Sequence, residues 1–112
     1  MAQDFVLGEF EQMLLLAVLQ LGEGAYGPSM ARYLEDRVGR SVSRGALYAT
    51  LARLEQKGFV EWLIEGADED RGGHRKRRFS LTMAGISALR TYRSALMRLW
   101  SGLEGTLEEA GP

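Results

Sequence analysis

The sequence predicts a mainly α fold of the α+β kind, a winged helix-turn-helix that continues into a long carboxy-terminal helix. Three observations predict it. Apolar residues recur at helical spacing through the first half of the chain, and glycines close each of these segments. Two short segments rich in β-forming residues follow, separated by a polar turn. The last third then repeats apolar residues in alternating steps of three and four, as a heptad does.

The composition is that of one ordinary globular domain. The chain has 112 residues, of which 46% are hydrophobic and 26% are charged, and this suits a single core. It has no cysteine, which excludes disulfides and thiolate nucleophiles. Its longest apolar run, Met13–Leu19, is too short to span a bilayer, and the first residues do not read as a signal peptide. We therefore expect a cytoplasmic protein.

The first helix is expected from about Gly8 to Leu21. Apolar residues cover nearly its whole circumference, which indicates burial on more than one side. In a domain of this size, we expect the second side to be covered by another copy of the chain. The residues predicted to lie in that interface are Leu15, Leu16 and Leu19.

Two further helices form a helix-turn-helix in this interpretation. The second begins at Pro28, which suits a first helical turn, and ends at Val38. After a short turn opened by Gly39, Ser43 is expected to cap a third helix that ends at Lys57. The side chains predicted to face the core are Met30, Ala31, Leu34, Val38, Leu47, Leu51 and Leu54. Such a pair of helices places the second one in the DNA major groove.

The outward face of the third helix predicts how DNA would be read. Its small residues let the backbone approach the groove closely, and few long side chains extend from it. We therefore expect sparse base readout, with DNA shape supplying much of the selectivity. The small residues are Gly45, Ala49 and Ala52, and the long ones are Arg44, Tyr48, Arg53 and Gln56. The alternative is a face that is solvated or packed on a partner.

The predicted hairpin pairs Phe59–Glu65 with Arg75–Leu81, and most of the excess of positive over negative charge in the middle third of the chain lies in Arg71–Arg78. Net charge is −1, but eleven bases and eight acids lie within residues 32–78. A dense group of bases favours phosphate or minor-groove contact, because binding releases counterions. The bases expected to contact DNA are Arg71, Arg75, Lys76, Arg77 and Arg78. The alternative is a charged strand that only keeps the hairpin soluble.

No residue pattern indicates catalysis. His74 is the only histidine, no nucleophile lies near it, and we expect it in an exposed loop. Asp68-Glu69-Asp70 would repel phosphate, so these acids are expected to point away or to pair with Arg71 and Arg75. An Asp-x-Asp metal site there is a weak alternative. We expect no enzyme activity, cofactor or bound metal.

Thr82 is expected to cap the last helix, which extends to about Leu107. Its heptad seam predicts a homodimer, with residues 1–81 as the DNA-binding domain and residues 82–112 as a dimerisation helix. The residues expected at this interface are Leu89, Tyr92, Leu96, Leu99, Trp100 and Leu103. Trp100 either anchors the interface or, with Met97 and Leu96, stacks a planar aromatic effector between two copies.

Four stretches of the sequence resemble the PadR family of bacterial transcriptional regulators. They are Leu7–Glu11, Ala25–Gly27, Gly45–Gly58 and Arg71–Gly85, in the family's order. The single carboxy-terminal helix is similar to that of the short subgroup with minimal effector domains. The resemblance implies a winged-helix homodimer that binds pseudo-palindromic operators, usually as a repressor released by a small molecule.

The resemblance also implies which residues contact double-stranded DNA: Ser43, Arg44, Tyr48 and the basic residues of the hairpin. Arg78 and Met83 depart from the family, which often has an aromatic residue and a proline at these positions. The sequence thus predicts a dimeric DNA-binding regulator. The alternatives are a winged-helix adaptor for other proteins and a small-molecule sensor without direct DNA binding.

Overall fold

The computed structural model describes residues 7–66 and 75–110. The elements are α1 (Glu9–Leu21), a single 3-10 turn (Gly22–Gly24), α2 (Gly27–Val38), α3 (Arg44–Gln56), β1 (Val60–Glu65), β2 (Lys76–Leu81), α4 (Met83–Trp100) and α5 (Glu104–Ala110). Three helices, a hairpin and a further helix in this order are a winged helix-turn-helix. The predicted mainly α fold is confirmed.

The core lies between α1, α2, α3 and one face of the hairpin. Its fully buried side chains include Leu14 and Leu15 of α1, Met30 of α2 and Phe79 of β2. The inward stripe predicted for α3 is confirmed, since Leu47, Leu51 and Leu54 are all buried. The prediction for Val38 is wrong. This residue ends α2 and is 57% exposed, because the buried face of α2 ends one turn earlier at Leu34.

A short turn joins α2 to α3. Gly39 has φ 72° and ψ 20°, a left-handed conformation that favours glycine, and its N–H donates to the Glu35 and Leu34 carbonyls. Ser43 then caps α3, as predicted: its hydroxyl accepts a hydrogen bond of 3.1 Å from the Ala46 N–H. The two caps satisfy backbone groups at the end of α2 and at the start of α3.

The hairpin is antiparallel, with Val60 opposite Leu81 and Glu65 opposite Lys76. Side chains alternate between its two faces. Trp62, Arg77 and Phe79 lie on the face toward the core, whereas Glu65, Lys76 and Arg78 lie on the opposite face. The Phe79 N–H donates to the Ala25 carbonyl at 2.9 Å, which holds β2 against the segment before α2.

The first half of α4 packs on this core. Thr82 caps it as predicted, because its hydroxyl accepts from the Gly85 N–H and donates to the Gly58 carbonyl. Gly85 lies directly against the Phe59 carbonyl oxygen. Further along α4, the Tyr92 hydroxyl accepts a 3.0 Å hydrogen bond from the Leu7 N–H.

The expectation of one helix to about Leu107 is wrong. Helix α4 ends at Trp100, because Ser101 has an extended ψ of 125° and Gly102 a left-handed φ of 86°. The seven-residue α5 follows as a separate helix. Leu103 therefore does not continue the heptad seam of α4. Within the described ranges, none of the helices has the length and apolar character to cross a membrane.

Candidate nucleic-acid interface

The outward face of α3 is exposed along its whole length. Gly45, Ala49, Ala52 and Gln56 are all exposed on the side opposite the buried leucines. Arg44 is also exposed at the first turn. This surface consists mainly of small side chains and is flanked by cations, which suits close approach to the floor of a DNA groove.

Tyr48 is half-buried and joins three elements. Two guanidinium groups lie near its ring, with the Arg44 Cζ 5.9 Å and the Arg77 Cζ 5.5 Å from the ring centroid. Its hydroxyl lies so close to Gly27 that a Cβ at that position would overlap it. Tyr48 therefore connects α3 to the start of α2 and to β2.

A groove of about 560 Å³ opens where the start of α2, the start of α3 and the hairpin meet. Cations dominate its walls, and none of the described residues that line it is acidic. Its lining residues are Tyr26, Gly27, Pro28, Ser29, Arg32, Arg44, Tyr48, Arg75, Lys76 and Arg77. Low-dielectric walls that carry charge of one sign focus the potential and attract a polyanion.

The three successive hairpin cations Arg75, Lys76 and Arg77 reach this groove in different ways. Arg75 precedes β2 and is exposed. The Lys76 ammonium lies 5.1 Å from the Tyr26 ring centroid. The Arg77 guanidinium lies over three rings, 4.8 Å from the centroid of Trp62 and 5.5 Å from those of Tyr48 and Phe79.

Arg78 is bound within the protein. Its Nε donates to the Glu65 Oε2 at 2.7 Å, and the side chains are 26% and 33% exposed respectively. The other carboxylate oxygen of Glu65 accepts from the Tyr26 hydroxyl at 2.7 Å. Arg78 thus lies on the hairpin face opposite Arg77, with its charge compensated.

Arg53 also has partners inside the chain. Its guanidinium donates to the Thr50 hydroxyl at 3.0 Å, and its Nε lies 3.6 Å from the Glu11 carboxylate. The same carboxylate accepts from the Lys57 ammonium at 2.9 Å. Burial would raise the pKa of Glu11. The hydrogen bond from the Gly8 N–H and the charges of Lys57 and Arg53 outweigh burial, so that the pKa of this carboxyl lies below its usual value.

Some of the predicted residues fall outside the described part of the chain, and one residue that lines the groove was not predicted. Arg71, His74 and residues 68–70 lie outside the described residues. Arg32 lines the groove from α2, although it was not among the expected DNA contacts. Its position one helical turn after Pro28 was the available signal, because residues four apart share a helix face. Within the described ranges, no group of acidic or histidine side chains is arranged to hold a metal ion.

The residues expected at a dimer interface fall into two groups. Leu15 is fully buried in the chain's own core, and Leu89 and Tyr92 are half-buried against it. Leu15 therefore lies beneath the surface that a second copy would meet. The exposed group comprises Leu16, Leu19, Leu96, Leu99, Trp100 and Leu103, each between 44% and 72% exposed.

The chain is similar to known proteins of one family. The model of the transcriptional regulator PadR-like family matches residues 15–91. A PadR family transcription regulator from Clostridium difficile R20291 is 20% identical, with a TM-score of 0.70 over 88% of this chain and 98% of that one. A PadR family regulator from Eggerthella lenta DSM 2243 is 25% identical, with a TM-score of 0.66 over 89% and 87%. A search of curated protein sequences gave no match.

Proposed function

The chain belongs to the PadR-like family of transcriptional regulators, and from this premise we propose that it is a cytoplasmic homodimer that binds a pseudo-palindromic operator in double-stranded DNA. The observation that carries the proposal is the groove between α2, α3 and the hairpin, with five cations on its walls. Lysine and arginine side chains that neutralise phosphates release condensed counterions, and this release drives binding.

In the proposed complex, α3 lies in the major groove. Gly45 and Ala49 face the base edges, and Arg44 lies at the amino-terminal end of the helix, where such contacts are made. Arg75 and Lys76 reach the flanking phosphates together with Arg32. Ser43 contributes its backbone, because its hydroxyl already caps α3.

Arg53 and Arg78 have a smaller share in DNA binding than the sequence suggests. Each is close to a carboxylate, Glu11 or Glu65, at 3.6 Å and 2.7 Å respectively. A phosphate would have to compete with that carboxylate for the guanidinium. Arg53 is 55% exposed and retains an accessible edge, whereas Arg78 is 26% exposed.

The homodimer forms through the exposed apolar residues of α1 and α4 in this proposal. Leu16 and Leu19 are half exposed on α1, and Leu96, Leu99 and Trp100 are exposed near the end of α4. Large exposed apolar side chains grouped on one helix are typical of protein–protein contacts. If the dimer places its two α3 helices about 34 Å apart, they would engage successive major grooves of one operator.

We further propose that the protein is a repressor of a nearby operon that a small molecule releases. Trp100, Met97 and Leu96 are between 44% and 59% exposed at the end of α4. Two copies meeting there would place flat aromatic surfaces close together, which suits a planar aromatic effector. Quenching of tryptophan fluorescence by such compounds, lost in Trp100→Ala, would support this role; equal quenching in both proteins would contradict it.

The alternative of a protein adaptor is less well supported, since the outward face of α3 is lined by small and charged residues instead of large apolar ones. Selection of bound duplexes from a random pool tests the proposed function. We expect an enriched sequence with two inverted half-sites whose centres are about 10 base pairs, or a multiple of that, apart. Recovery of no enriched sequence, together with no binding at low ionic strength, would contradict the proposal.

A further inference from the structure

Two tyrosines contact the hairpin, one on each of its two faces, at the last residue pairs of the ladder. On one face, the Tyr26 hydroxyl donates to Glu65 at 2.7 Å, and the Lys76 ammonium lies over the Tyr26 ring. On the other face, the Arg77 guanidinium lies over the Tyr48 ring. Glu65 and Arg77 belong to the last two residue pairs of the ladder. These contacts therefore act at the end of the hairpin that is furthest from the Val60–Leu81 pair, where the two strands leave the core.

Arg77 has more aromatic contacts than any other described cation. The rings of Trp62, Tyr48 and Phe79 all have their centroids within 5.5 Å of its Cζ. A guanidinium stacks flat on aromatic rings because it is planar and weakly hydrated, and an ammonium does so less well. Each such contact is favourable even at an exposed site. The Arg77 guanidinium is therefore engaged by three aromatic rings of the protein itself.

We propose that Arg77 is a positioning residue for DNA binding, which acts through its cation–π contact with Tyr48 to hold the hairpin at a fixed distance from α3. The inference rests on the proposed function and assigns Arg77 a role other than the phosphate contact expected from sequence. One duplex has to meet α3 and the hairpin together. Tyr48 belongs to α3 and packs on Gly27, so a hairpin fixed to Tyr48 is fixed to both helices of the helix-turn-helix.

The test compares Arg77→Met and Arg77→Lys with Arg75→Met. Arg75 is a matched control because it is an exposed cation one residue before β2 and lines the same groove. Two quantities are measured. The first is the hydrogen-exchange rate of the β2 amides in the free protein. The second is the affinity for the duplex enriched from a random pool, over a range of salt concentrations.

We expect Arg77→Met to speed exchange of the β2 amides about fivefold and to weaken duplex binding. Arg77→Lys keeps the charge but loses the flat stack, so it should not restore either quantity. Arg75→Met should weaken binding and lower its salt dependence while β2 exchange stays unchanged. Circular dichroism of each variant establishes that the helices have folded.

Three results would overturn the proposal. Wild-type affinity in Arg77→Lys, with unchanged exchange in Arg77→Met, would make Arg77 a phosphate contact. Faster exchange with unchanged affinity would show that the hairpin need not be held. Unchanged exchange of the β2 amides in Tyr48→Leu would also contradict it, because leucine has no ring for the guanidinium to contact. If no duplex is enriched, the proposed function fails, and the exchange rates alone decide whether Arg77 holds the hairpin.

Discussion

The Arg78 Nε lies 2.7 Å from the Glu65 Oε2, and this ion pair crosses the hairpin on the face turned away from Arg77. Glu65 in turn accepts from the Tyr26 hydroxyl. The carboxylate of Glu65 therefore compensates the charge of Arg78 within the hairpin. We therefore expect Arg78 to contribute more to the hairpin than to DNA binding.

We predict that Arg78→Ala lowers the free energy of unfolding by about 1 kcal/mol or less, since the pair is partly exposed. Affinity for duplex DNA should change less than in Lys76→Ala, the neighbouring cation on the same hairpin face. Urea unfolding and fluorescence anisotropy measure the two effects. A larger loss of affinity in Arg78→Ala than in Lys76→Ala would show that phosphate displaces Glu65.

Glu11 makes stability depend on pH. Because the pKa of Glu11 is lowered in the folded chain, its contribution is complete above the unfolded pKa of about 4.3 and is lost as pH falls through the lower folded value. Glu11→Gln should therefore be less stable than wild type at pH 7, with a gap that narrows below about pH 4.

Urea unfolding between pH 7 and pH 3 checks this, with Glu9→Gln as the control. Glu9 lies in the same first turn, but its side chain is 81% exposed and 3.9 Å from Arg40. Its substitution should lower stability at pH 7 less than Glu11→Gln does. A gap between wild type and Glu11→Gln that stays constant with pH would contradict the lowered pKa of Glu11.

Gly85 allows α4 to approach the base of the hairpin. A Cβ there would overlap the Phe59 carbonyl oxygen. This oxygen belongs to the backbone and cannot rotate away as a side chain could. We expect Gly85→Ala to destabilise the fold by about 1–3 kcal/mol. Gly105→Ala is the matched control, because Gly105 is a helical glycine of α5 with open space around it. There the same change should be neutral or stabilising, and equal effects at both sites would be evidence against close packing at Gly85.

The proposed dimer depends on the exposed end of α4. Leu99 is 72% exposed, and Leu99→Glu would put a charge into an apolar interface, at a cost of several kcal/mol. We predict that sedimentation equilibrium gives a two-chain mass for wild type and a one-chain mass for this variant. Met83→Glu, at an 82% exposed position where α4 begins, should keep the wild-type mass. A one-chain mass for the wild-type protein would refute the dimer.

Local patterns of the sequence predict much of the fold. Ser43 and Thr82 cap their helices because a hydroxyl before a helical segment can accept from a free amide. The buried and exposed faces of α3 follow from helical periodicity alone. Gly102 offered a signal for the end of α4, but the apolar residues on either side kept the heptad spacing and concealed it.

Contacts between residues far apart in the sequence could not be predicted from local patterns. Lys57 and Glu11 are 46 residues apart, and Tyr26 and Glu65 are 39 apart. Which base meets which acid depends on how the elements pack, and no spacing rule gives that. Leu15 shows the related problem, since an apolar helix does not reveal whether its own core or a second chain covers a given side.

The salt dependence of duplex binding is the decisive test of a DNA-binding groove between α2, α3 and the hairpin. Arg75→Ala with Lys76→Ala removes two groove cations, and Arg90→Ala with Arg93→Ala removes two exposed cations of α4 outside the groove. We predict that the first pair weakens binding and lowers the slope of log K against log salt by about 0.9 for each phosphate that is no longer neutralised, while the second pair retains the wild-type slope. Equal slopes for both pairs would contradict a DNA-binding groove at this place.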